Sequence, residues 1–397
     1  VKVLIVTYGI LPVPAVHGGA VETLTQFLID ENEKDHKIDF VVSTIYDKEV
    51  KQASKAYKNT SFVYSYTRRF YDLLVFLNRC IRKLTRKHTK LIEKSYLRKV
   101  RKYAKNNSID YILIENCTDF VMPLSDLKIP MILHLHNDYL NADTPNAQKI
   151  ADSCRAIITV SDFITKRVKT IEKTSEKTFT LLNSVNLSLF GREKYSKFRA
   201  DYRREHGIKD DDIVIIFAGR LHETKGILEL IQAFNKLKKR AYLLLVGGSW
   251  YGVNRKTRYV ENVLSEIQNN ERIILTGYIN FKDMPKYYAI GDICAFPSVW
   301  EEPAGLVPLE AQASGLALLA TDRGGINENC PADSGCLISF EHNEELVSKL
   351  SEQLNILCSD AEKRKDNVES GKRFVKDRGR ERYLCDFMQI LNKIIEM

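Results

Sequence analysis

The stretch IVIIFAGRLHETKG (213–226) reads as a buried strand that leaves the sheet through a turn and enters a helix near Gly226. Ile213 to Ala218 are apolar without alternation, the pattern of a strand covered on both faces in a parallel sheet. Arg220 and Lys225 fall in the turn that follows. Arginine offers forked N–H donors and lysine a compact charge, so the pair suits a diphosphate at a strand-to-helix turn.

The same strand-then-helix unit repeats outward in both directions. Before it, strands are expected at 2–7, 38–43, 111–114, 131–135 and 156–160, with helices beginning near 19, 71, 95, 145 and 162; after it, strands are expected near 242–246, 273–275, 293–296 and 317–320. Such alternation predicts an α/β fold of two doubly wound parallel-sheet (Rossmann-like) domains. The length of 397 residues fits two domains. Strand character is lost near 186–210, so the domains are expected at 1–190 and 191–378, with an amphipathic last helix at 379–397. A formal D-x-D at Asp210–Asp212 lies in this polar segment and reads as a solvated turn rather than a metal site. Ligands of doubly wound sheets sit at the carboxyl ends of strands, so two such domains facing each other predict a cleft between them.

A second segment, EEPAGLVPLEAQASG (301–315), carries two carboxylates, Glu302 and Glu310, around a Pro and a Gly. Pro303 keeps Glu302 extended or in a turn, and Gly305 lets backbone approach a ligand closely. From Leu306 and Val307 onward the residues favour a helix, whose first turn presents unpaired N–H groups that suit an anion. Carboxylates beside such a turn are poor partners for phosphate but good acceptors for sugar hydroxyls. A nucleotide-sugar is therefore a better candidate ligand than a bare nucleotide.

These residues resemble the E-x7-E signature of retaining glycosyltransferases of the GT-B fold, in particular family 4, with Ala304 where a Phe is common. Arg220 and Lys225 are similar to that family's G-R-x-x-x-x-K-G element, Gly18 and Gly19 in VHGGAVETL to its N-terminal glycine loop, and His136 in HLHND to a His that contacts the donor sugar. His136 fits better than His134, being followed by Asn137 and Asp138. Asn183 resembles a hinge turn, Gly324 and Gly325 the glycines after the following strand, and the last helix one that commonly crosses back to the first domain. Ser161 is expected to cap a helix, and Gly247, Gly248, Trp250 and Tyr251 to border the nucleotide or pack on their own domain.

The resemblance implies that Glu302 holds donor-sugar hydroxyls and Glu310 the ribose, with Gly18, Gly19, Gly305, Leu306 and Val307 also on the donor side. Arg220 and Lys225 would stabilise charge building on the departing diphosphate, a scheme that needs no metal and no other cofactor. Retention would follow from acceptor attack on the side of the leaving phosphate.

Composition bounds the surroundings. Eight cysteines form no C-x-x-C pair and read as reduced thiols of a cytoplasmic protein, and no run of eighteen apolar residues spans a membrane. The N-terminal run VKVLIVTYGILPVP is too short for a signal peptide and reads as a first strand. The net charge of +9 is concentrated in residues 67–105, where Arg79, Arg82, Lys83, Arg86, Lys87, Lys90 and their basic neighbours face only Asp72 and Glu93. Phe70, Leu73, Leu77, Ile81, Leu91, Tyr96, Leu97 and Val100 recur among them at helical spacing, which suits a helix lying on an anionic bilayer, with a solvated face on helices packed to the core as the alternative and an RNA-binding surface a weaker third. No nucleic-acid partner is expected.

Together these features predict a retaining hexosyl- or N-acetylhexosaminyltransferase that uses a nucleotide diphosphate sugar, UDP-sugar favoured. The acceptor is expected to be a lipid-linked saccharide at the inner face of the cell membrane, in surface polysaccharide assembly. Two alternatives stay open: a sugar-nucleotide epimerase of the same fold, and a catalytically silent membrane-bound sugar-nucleotide-binding partner.

Overall fold

The computed structural model describes residues 1–85, 91–248, 257–268, 270–331 and 337–397. Two compact units result: Val1–Leu182 with Arg380–Met397, and Asn183–Gly379. The first break precedes the expected residue 190, because Val185 already donates its N–H to Arg378 O at 2.9 Å and bridges Gly379 within the second unit.

The first unit is built on seven strands, β1 (Lys2–Val6), β2 (Asp39–Tyr46), β3 (Thr60–Thr67), β4 (Tyr111–Glu115), β5 (Met131–Leu135), β6 (Ala156–Thr159) and β7 (Thr178–Thr180). They form one parallel sheet in the order β3-β2-β1-β4-β5-β6-β7. The central strand is sealed on both faces, with Val3, Leu4, Ile5 and Val6 all at 0% exposure. The helix Ala20–Asp35 and the last helix, Arg380–Glu396, pack on this sheet together: Phe387 meets Phe40 of β2, and Arg380 Nε lies 2.6 Å from Glu31 Oε1. The chain thus returns to the first unit for its final helix. Ser161 caps the helix Asp162–Val168, accepting from the N–H of Ile164.

The second unit carries β8 (Ile213–Ala218), β9 (Ala241–Val246), β10 (Ile273–Gly277), β11 (Ile293–Phe296), β12 (Ala317–Thr321) and β13 (Leu337–Ile338), parallel in the order β10-β9-β8-β11-β12-β13. Asp212 of the D-x-D turn is buried rather than solvated; its carboxylate accepts from the N–H of Lys209 and faces Arg240. Packing into the turn before β8 removes it from solvent. Three strands, β3, β7 and β13, were not expected from the sequence, and all three are sheet edges. An edge strand has fewer covered positions, so it lacks the continuous apolar run that marks a central one.

The basic segment divides into two helices of different character. In the helix Leu91–Asn106 the apolar face is core: Tyr96, Leu97 and Val100 are buried, and the Tyr96 hydroxyl donates to Ser43 O at 2.9 Å. That corrects the single membrane-facing element expected over 67–105. The helix Arg68–Thr85 instead leaves Phe70, Leu73, Phe76 and Leu77 exposed at 43, 50, 61 and 39%, with Leu74 turned inward. Arg79, Arg82 and Lys83 belong to this helix, their side chains outside the described set, and Arg86, Lys87 and Lys90 lie outside the described residues. Among the described residues no helix is long and apolar enough to cross a membrane.

Candidate active site

In the second unit three adjacent strands, β8, β11 and β12, deliver their carboxyl-terminal loops to one place. The loop after β8 carries Gly219, the exposed Arg220 and a single 3-10 turn, Glu223–Lys225, before the helix Ile227–Phe234. The loop after β11 carries Ser298, Trp300 and Glu302. These two loops are fastened together by the Val299 N–H on Thr224 O at 3.0 Å, and they touch so closely that a Cβ on Gly226 would lie 1.9 Å from Pro297 O.

Their fastening makes an ion pair. Lys225 Nζ donates to Glu302 Oε1, while Ser298 Oγ lies 2.9 Å from the same oxygen and 3.0 Å from Thr224 O. The ammonium also sits 5.6 Å from the Trp300 ring centre and 5.9 Å from that of Phe296. A carboxylate and a cation held on facing loops at strand ends can meet two neighbouring groups of one ligand, one hydroxylated and one anionic.

The loop after β12 fixes the backbone of the same acid. Gly325 N–H donates to Glu302 O at 2.7 Å, and Gly324 N–H to a Glu301 carboxylate oxygen at 2.6 Å. Gly324 has φ +59°, and a Cβ there would stand 2.2 Å from Glu302 O. These glycines, given no role on sequence grounds, set where Glu302 points.

Glu310 lies on the short helix Val307–Ala313 and accepts from the buried Tyr288 hydroxyl at 2.8 Å. Burial pushes its carboxyl above the usual range, and the Tyr288 bond offsets this only in part. Burial, followed by the nearby Glu310, likewise drives the Tyr288 phenol far up. Glu310 therefore has an acceptor oxygen held by one neutral donor. The turn before it differs from expectation: Gly305 has φ +79° and abuts the Phe296 ring, Leu306 is the cap, and Pro308 removes one N–H from the first turn. Ala304 is buried, its carbonyl accepting from Asn329.

The first unit holds the remaining candidates. Gly18 and Gly19 have φ +77° and +106° at the entry to the helix Ala20–Asp35, whose Glu22 carboxylate fills the space beside Gly19. Burial, with the Glu115 charge adding to it, pushes Glu22 up to about 7. His134 of β5 and His136, one residue past the end of that strand, both reach Glu115 at the end of β4: Oε2 lies 3.1 Å from His134 Nδ1 and 2.8 Å from His136 Nε2. Burial disfavours the Glu115 charge, yet the two imidazoles outweigh it and hold the carboxyl at about 2. Burial, then the His134 ring, takes His136 down to about 4 against the pull of Glu115.

Lys225, Glu302 and Gly305 are thus brought into one neighbourhood of the second unit, with Glu310 following on the adjoining helix. Gly18, Gly19 and His136 belong to the first unit. Glu115, Ser298 and Tyr288 were missed; each is a single polar residue at or near an apolar strand or helix, and no spacing in the sequence marks it.

Residues 198–374 match the sequence model described as glycosyl transferases group 1. The spore coat protein SA of Bacillus subtilis (strain 168) is 26% identical over 379 residues, covering 91% of each chain. A putative glycosyltransferase, YtcC, of the same organism is 31% identical over 209 residues, or 50% of this chain, which spans about half (51%) of that relative's length. Among solved structures, that of Anabaena Alr3699/HepE in complex with UDP and glucose superposes with a TM-score of 0.73 at 18% identity, covering 100% of both chains.

Proposed function

We propose that this chain, whose residues 198–374 match the group 1 glycosyl transferases and whose two units have the GT-B fold, is a glycosyltransferase that transfers a hexose or N-acetylhexosamine, with retention, from a nucleotide diphosphate sugar to a lipid-linked saccharide. The observation that carries the reading is the Lys225–Glu302 pair, a cation and an acceptor joined at the ends of β8 and β11. Breaking the glycosidic bond builds negative charge on the diphosphate oxygens. Lys225 and Arg220 stabilise that charge, while Glu302 accepts hydroxyl hydrogen bonds from the sugar, and no metal is needed for this step. Glu310, whose bound partner is a neutral phenol, keeps lone pairs for the ribose hydroxyls. In the first unit, His136 is the candidate sugar contact.

UDP bound to a structural neighbour supports the choice of a UDP-sugar. The helix Arg68–Thr85, with exposed Phe70, Leu73, Phe76 and Leu77 beside a run of cations, supports an anionic membrane surface as the place where a lipid-linked acceptor is met. That in turn points to bacterial surface polysaccharide assembly on the inner face of the cell membrane. Thermal-shift screening of UDP-, GDP- and ADP-sugars, followed by nucleotide release with and without a lipid-linked acceptor extract, tests the reading. Stabilisation by a UDP-sugar and acceptor-dependent UDP release are expected; isomerisation of the sugar, or binding without turnover, would replace it.

A further inference from the structure

The first unit contains a buried cluster of which the proposed transfer uses only His136, leaving Glu115 and His134 without a role. We propose that Glu115, His134 and His136 form a binding site for one divalent transition-metal ion of the zinc class. His134 of β5 and His136, one residue past the end of that strand, stand two residues apart, and Glu115 is the register partner of His134 on the adjacent β4. A parallel sheet thereby presents three donors to one point. The donor atoms all lie within 4.8 Å of one another, and no other group of three or more such residues among the described ones does so.

Two of the three donor separations are close to those around an ion. Donors around a tetrahedral zinc are roughly 3.3 Å apart, given ion-to-donor distances of about 2.0–2.1 Å. Glu115 Oε2 lies 3.1 Å from His134 Nδ1 and 2.8 Å from His136 Nε2, so the carboxylate would draw back by a fraction of an ångström while the two ring nitrogens, within 4.8 Å of one another, turn toward the ion.

The environment asks for a cation. The Glu115 and His134 side chains are each 1% exposed, and Glu115 Oε1 and both ring nitrogens of His134 lack a hydrogen-bond partner among the described residues. Buried polar atoms without partners are costly, and a metal ion satisfies several at once. The ion-pair partners of Glu115 in the described structure are these two histidines. Their ring centres are 4.1 Å apart. Two imidazole nitrogens and one carboxylate are a set that zinc accepts and that magnesium and calcium, which prefer oxygen, do not.

An ion held at His136 Nε2 also fixes that ring's tautomer, leaving the proton on Nδ1 as a donor. The site shares His136 with the proposed transfer but none of the Lys225–Glu302 pair, and zinc retention is read without any turnover.

The test uses the full chain, stripped with a chelator, reloaded with zinc chloride and desalted. Elemental analysis should find one zinc per chain, and zinc should raise the melting temperature of the stripped wild type. Glu115→Gln and His134→Phe should each lower zinc retention at least about tenfold, with no zinc-dependent change in melting. Cobalt(II) in place of zinc should give the visible absorption of a four-coordinate nitrogen and oxygen site. Zinc at buffer background in the wild type would overturn the proposal, as would equal retention by wild type and both variants, which assigns the ion to surface groups such as Cys385. Should the variants not fold, the stripped and reloaded wild type decide alone: no rise in melting temperature and no retained zinc reject the site.

Discussion

Lys225 and Glu302 are ion-paired within the second unit, with side chains only 15% and 6% exposed. Removing one member of a pair this buried strands the other charge, which costs on the order of 3–5 kcal/mol. Lys225→Met should therefore lower stability by about that amount, and adding Glu302→Gln should recover much of the loss. Urea unfolding of the wild type, both single variants and the double variant closes the cycle. A coupling indistinguishable from zero would mean that the two side chains are held apart in solution.

Gly324 controls the placement of Glu302 through backbone contact. Gly324→Ala puts a methyl group 2.2 Å from Glu302 O at φ +59°, whereas Gly207 has φ +63° with nothing within 4 Å of its added Cβ. Gly207→Ala thus measures left-handed backbone strain alone, about 1–2 kcal/mol. Gly324→Ala should cost visibly more and should lower donor turnover, while the Gly207 control keeps full turnover. Equal penalties in thermal unfolding would show that the close approach to Glu302 does not exist.

Glu310 gives the nucleotide site a pH dependence with a definite sign. Its carboxyl is raised by burial, so in the free protein the proton is lost only as pH climbs above the ordinary carboxylate value of 4.5. Ribose hydroxyls donate best to the ionised form, so nucleoside diphosphate affinity should rise with pH through that range. Tyr288→Phe deletes the hydroxyl donor that lowers the Glu310 value, moving the rise to higher pH; Glu310→Gln should flatten it. Calorimetric titrations across pH read this directly, and an unmoved profile in Tyr288→Phe would refute the role given to the hydroxyl.

The exposed apolar residues of the helix Arg68–Thr85 make a separate prediction. Leu73→Ser with Phe76→Ser removes side chains that are 50% and 61% exposed and should leave folding within about 0.5 kcal/mol. Sedimentation with anionic liposomes should fall several-fold, and rising salt should weaken what remains. Tyr96, Leu97 and Val100 are not part of this surface, because they pack in the core. Undiminished liposome binding by the double variant would remove the membrane reading of this helix.

Central strands were legible because sealing both faces of a parallel sheet demands unbroken apolar runs, as in Ile213–Ala218 and Tyr111–Ile114. Three of the four edge strands were not: in β3 only Phe62, Val63 and Tyr64 are apolar or aromatic in a row, between Thr60–Ser61 and Ser65, and the segment reads as a polar connection. The cations and acids of the candidate site were visible as residue types at turns, but their pairing was not: Lys225 and Glu302 are 77 positions apart and meet only because β8 and β11 are neighbours. Glu115 escaped notice for a similar reason. It looks like the end of an apolar strand until the register of β4 and β5 sets it beside His134. The basic segment misled because cations at helical spacing read alike whether the apolar face between them is solvent-exposed, as at Phe76, or buried, as at Val100.

The most direct measurement is UDP release from a UDP-sugar by wild type and Glu302→Gln, run beside the affinity of each for UDP alone. The account predicts that Glu302→Gln holds UDP within about threefold of wild type, a difference of roughly 0.7 kcal/mol, yet loses at least about a hundredfold in turnover, roughly 2.7 kcal/mol of transition-state stabilisation. Turnover kept by Glu302→Gln, or UDP affinity and turnover falling together, would contradict a carboxylate that acts on the sugar.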